Sequence, residues 1–137
     1  MRLVMTTFGF LAAIVLVPAA ALAGAYDGSS GLICASLDTA HCVAEGECAT
    51  GRAASVNLPQ FFKIDFEAKT IRAERPDGSE RSSPIEIMSH DQDHLVLQGV
   101  QEGLGWSVVI DETTGHMTIA ASGHGEAFIV FGACTLD

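Results

Sequence analysis

The chain of 137 residues reads as an all-β protein, an antiparallel meander of about eight short strands closed into a small β-barrel, with a β-sandwich as the alternative. Three observations predict this. From Leu32 onward apolar and polar residues alternate with the period of two that buries one face of a strand. The alternating runs are short and are separated by turn residues. Pro59, Pro76 and Pro84 all fall at run boundaries, where no ladder donor is lost.

The elements follow in order. A first strand starts at Leu32, preceded by Tyr26 in a loose terminal segment, and leads to three closely spaced cysteines. The stretch ATGRAASVN is the one place for a short helix or an irregular crossing. In FFKIDF, Phe62, Ile64 and Phe66 share one face and Lys63 and Asp65 the other. TIRAER turns Ile71 and Ala73 inward. Pro76-Asp77-Gly78 then supplies a turn, with proline to set φ and glycine to accept a positive one. Ile85 and Ile87 continue the inward row, followed by Leu95 and Leu97 in LVLQGV. After the EGLG turn come Trp106, Val108 and Ile110, then Met117 and Ile119, and finally Phe128 and Val130 in the closing run EAFIVFGAC. An open sheet of this size exposes two edges, so closure or sheet-on-sheet packing is the expected remedy. No internal repeat, low-complexity tract or second domain interrupts the pattern.

The first 23 residues have the form of an export signal. Arg2 precedes an apolar run over residues 8–17, Pro18 breaks it, and Ala21-Leu22-Ala23 offers a small-x-small cleavage site. The run is shorter than the ~20 residues a membrane span needs. The expected product is a single domain over residues 24–137, periplasmic or secreted, with no membrane span.

Removing Arg2 leaves six basic residues against the 17 acidic ones. Nucleic acid is therefore not an expected partner, because phosphate neutralisation needs clustered Lys and Arg, and here the cations are interleaved with acids. A basic protein or a small ligand fits better, although acidity also serves solubility alone. The five histidines would offset up to half of the charge on protonation.

Four cysteines in an exported chain predict two disulfides. Of three possible pairings, Cys42 with Cys48 closes the short GEG-containing loop, and Cys34 with Cys134 ties the first strand to the last. The second pairing requires the first and last strands to be neighbours, as barrel closure makes them.

Candidate sites are few. His90, Asp91, Asp93 and His94 flank a strand-turn-strand junction, where two imidazoles facing each other across the hairpin, with one carboxylate, would supply three ligands for a divalent ion. A solvated turn has the same composition, and nothing at this spacing specifies a metal. His41 beside Cys42 suggests zinc only if the thiols stay reduced. Ser122, Gly123, His124 and Glu126 form a glycine-rich connection that would leave His124 exposed and mobile, as a recognition loop or as a plain hairpin. Trp106 stands behind a glycine-rich turn, either stacking on a ligand at a barrel mouth or packing with its N–H satisfied. There is no G-x-S-x-G, C-x-x-C or H-E-x-x-H, so no catalytic residue, metal or cofactor is assigned.

The C-terminal part, LVLQGVQEGLGWSVVIDETTGHMTIAASGHGEAFIVFGAC, resembles small exported proteobacterial β-proteins of unassigned function. That likeness implies compartment and β architecture only. Ala121-Ser122-Gly123 before the last strand is more weakly similar to the Ser-Gly loop of periplasmic inhibitors of c-type lysozyme, which are acidic, disulfide-stapled β-barrels. In this chain HGEAF stands where that family's motif carries tyrosine. The function expected is non-covalent binding by an exported acidic domain, the alternatives being a protein inhibitor of a lysozyme-like hydrolase and a divalent-metal-binding envelope protein.

Overall fold

The computed structural model describes residues 24–137, and the expected export signal lies outside the described residues. Ten strands follow one another: β1 (Leu32–Val43), β2 (Cys48–Gly51), β3 (Phe61–Asp65), β4 (Thr70–Glu74), β5 (Glu80–Pro84), β6 (Ile87–Asp91), β7 (His94–Gln101), β8 (Leu104–Asp111), β9 (His116–Gly123) and β10 (Glu126–Leu136). A 3₁₀ turn, Ala53–Val56, occupies the stretch expected to hold a short helix. All ladders are antiparallel, in the order β5-β4-β3-β1-β10-β9-β8-β7-β6, with β2 beside β1. The sheet curls into a half-barrel.

Two strands exceed the expected number. β2 is a short return from the Cys42 hairpin, and the run expected to carry both Ile85 and Ile87 inward is divided into β5 and β6. Pro84 ends β5. The next two amides then cross from one edge of the sheet to the other: Ile85 N–H donates to the Lys69 carbonyl and Glu86 N–H to the Gln98 carbonyl, each at 2.9 Å. Ile85 is buried at this crossing, whereas Ile87 is 53% exposed. Its partner in register is the exposed Gln98, which puts Ile87 on the outer face, contrary to expectation.

The crossing leaves a seam, since no backbone ladder joins β5 to β6 or β7. Side chains bridge it instead. Trp106 Nε1–H donates to Ser83 Oγ at 2.9 Å, Gln101 Nε2–H donates to the Ser82 carbonyl at 3.2 Å, and Arg81 pairs with Glu102.

Both expected disulfides are present, Cys34–Cys134 and Cys42–Cys48, each joining residues opposite one another on neighbouring strands. The first lies in the core beside Leu32, Ile64, Leu95, Leu97, Ile110 and Met117, which fill one end of the half-barrel. Tyr26 belongs to this packed end and is not loose. Its N–H donates to the Glu112 carbonyl at 3.1 Å, and its ring lies over Gly115 and against the core. Among the described residues no helix is long and apolar enough to cross a membrane.

Candidate functional site

The other end of the half-barrel is hollow. The inward rows that converge as Leu32, Ile64 and Leu95 at the packed end continue as Phe62, Ile71, Trp106, Val108, Ile119 and Phe128, and these surround a cavity of about 190 Å³. Leu58 and Pro59, delivered by the 3₁₀ turn, stand at its edge. An apolar hollow with a few convergent polar groups is the usual form of a small-ligand site. For scale, an engineered apolar cavity of ~150 Å³ takes up benzene.

Most of the polar groups come from the β4–β5 hairpin (Arg75, Arg81, Ser83) and from the end of β7 with its turn (Gln101, Glu102), and β1 adds Ser36. Ile71, Ala73 and Arg75 alternate on the inner face, and so do Arg81, Ser83 and Ile85 on the neighbouring strand. Arg81 is held by Glu102 across the seam. Arg75 opens the β4–β5 turn, where its N–H and carbonyl bond Ser79 and Gly78 at 2.9 Å. Asp77 fastens that turn. Its Oδ1 accepts from Ser79 N–H (2.8 Å) and Ser79 Oγ–H (2.6 Å), and its Oδ2 accepts from Asn57 Nδ2–H (2.9 Å). These donors, the Ser79 hydroxyl foremost, hold its carboxyl down at about 2, below the ordinary 3.8.

Trp106 lines the cavity, and its N–H is satisfied by Ser83. Glycine makes room for it. Gly99 is its cross-strand partner, and a Cβ there would run into the indole and the Pro84 carbonyl. His41 stacks on Phe128 at 4.3 Å between centroids, and its Nε2–H donates to Glu126 Oε2 at 2.8 Å.

The remaining candidates do not line the hollow. The hairpin of residues 90–94 lies at the packed end and divides its histidines between the faces. His90 is opposite Leu95, with Nδ1 2.6 Å from Glu112 Oε1, whereas His94 is opposite Asp91 on the outer face. The two imidazoles therefore do not face each other, and the Asp93 carbonyl accepts from Glu112 N–H at 2.9 Å. Among the described residues no three of His, Cys, Asp and Glu are grouped as metal ligands.

Residues 122–126 form a tight hairpin at the open end. His124 and Gly125 both take positive φ, 54° and 78°, the type I′ geometry that follows strand twist. His124 is exposed but held, with Nε2 3.1 Å from the Glu102 carbonyl. Gly123 lies so close to the Gly103 carbonyl that no side chain would fit. Ser122 is exposed on β9, and Glu126 faces His41.

Arg75 and Arg81 were not singled out by sequence reasoning, which counted them among cations interleaved with acids. The signal was their parity: each stands two residues from an inward-facing neighbour.

No protein family matches the chain, and no curated protein or solved structure is significantly similar to it.

Proposed function

We propose that this protein works by reversible, non-covalent uptake of a small apolar ligand into the hollow end of its half-barrel, without turnover, in the periplasm or outside the cell. The single observation that carries the reading is the cavity itself. Its walls are aromatic and aliphatic side chains with a polar fringe on one side, an arrangement that gains affinity from burial and orientation from a few hydrogen bonds. Two disulfides support an oxidising compartment, and a net charge of −10 supports a soluble, mutually repelling state there.

Trp106 is the chain's one tryptophan and lies in the cavity wall, so its emission is a built-in reporter. Titration with 1-octanol is expected to change that emission saturably, with one site by calorimetry. Ala121→Leu, which places bulk in the hollow, is expected to abolish the response while preserving the fold. A linear, non-saturating response shared by both proteins would remove the reading.

A further inference from the structure

We infer that the ligand is an amphipathic anion, with its apolar part in the hollow and a carboxylate at the mouth against Arg75. This rests on the cavity reading above and adds the charge of what fills it.

Arg75 is the first ground. Its Nε is sealed from solvent and has no hydrogen-bond partner among the described residues. No carboxylate among them stands within ion-pairing distance of its guanidinium either. Asp77, two positions on, feels its charge, but both of that carboxylate's oxygens are committed to Ser79 and Asn57. Arg75 is half-buried as a residue, but its Nε–H is a buried donor left unpaired, which native structures rarely tolerate without an occupant. The guanidinium fork matches a carboxylate in shape as well as in charge.

The second ground is the charge balance of the rim. Among the described residues the cavity is lined by two arginines and one acid, Glu102, and that acid is already paired with Arg81. A surplus positive charge thus faces an apolar hollow in a chain where acids outnumber bases 17 to 7. The net field of the molecule repels anions, so preference for one must come from this local arrangement.

The test compares octanoate, its methyl ester, 1-octanol and octylamine on the full protein, read by Trp106 emission and calorimetry. Octanoate is expected to bind about tenfold or more tightly than the alcohol or the ester, with the amine weakest. In Arg75→Met that preference should vanish while 1-octanol affinity is kept, and Arg75→Lys should restore part of it. Lys63→Met, which removes a cation paired with Asp137 at the packed end, should leave the preference intact. Equal affinity for octanoate and its ester in the unaltered protein overturns the inference but leaves the cavity reading standing. Undiminished preference for octanoate in Arg75→Met also overturns it. Saturable binding of none of the four overturns both. The unaltered protein decides the matter even if Arg75→Met fails to fold.

Discussion

Asp77 shows how a single exposed carboxylate shapes the mouth of the hollow. It joins the β4–β5 turn to Asn57 at the end of the 3₁₀ turn, and so holds Arg75 and Leu58 in their places at the edge of the cavity. Because the folded protein lowers its pKa to about 2, the stabilisation is complete above the ordinary 3.8 and is lost as pH falls through the folded value. The thermal midpoint of the unaltered protein should therefore exceed that of Asp77→Asn at pH 5, and the gap should close between about pH 4 and pH 2. A gap independent of pH would show that the carboxylate's charge is immaterial. Ser83 acts at the same scale. Ser83→Ala leaves the half-buried indole N–H of Trp106 without its acceptor and should cost about 1–3 kcal/mol by denaturant unfolding, with a shift in tryptophan emission.

Among the elements, the two edge strands carry the unusual physics. β5 and β6 are consecutive in the chain yet lie at opposite ends of the ladder order, and the two-residue crossing at Ile85 and Glu86 carries the chain between them. Gly99 on β7 lets the Trp106 ring lie close enough to reach β5, so Gly99→Val should disturb core and seam together, at about 1–3 kcal/mol. Local alternation made most strands legible: Phe62, Ile64, Leu95, Leu97, Val108, Ile110 and Met117 are buried as their period requires. It failed at Ile87, because parity persists only while backbone pairing does, and the crossing resets it. It also left the hollow unread. Alternation states which face a residue occupies, not whether the opposing rows meet, and Arg75 and Arg81 broke the inward pattern by composition while obeying it by position. The histidine pair at 90 and 94 misled for the complementary reason, since nearness in sequence across a turn hides a change of face.

At the scale of the molecule, one end is solid and the other hollow, and the long disulfide sits with the solid end. In the chain-entropy view, closing a loop of 100 residues is worth about 4.7 kcal/mol, against about 2 kcal/mol for the six-residue loop of Cys42 and Cys48. Replacing Cys34 and Cys134 together by alanine should thus lower unfolding free energy by about 2–5 kcal/mol, more than the paired replacement of Cys42 and Cys48, in side-by-side urea titrations. Equal losses would place the staple's worth in local geometry rather than in chain connectivity. The seam has a further consequence. Gly31 and Asp137 already share a backbone hydrogen bond of 2.9 Å, so a circularly permuted chain, joined there and opened between Ile85 and Glu86, would run through almost every sheet neighbour in sequence order. Its contacts become local, which predicts faster refolding, and the bond between Cys34 and Cys134 then spans only a short segment and forfeits most of its entropic leverage.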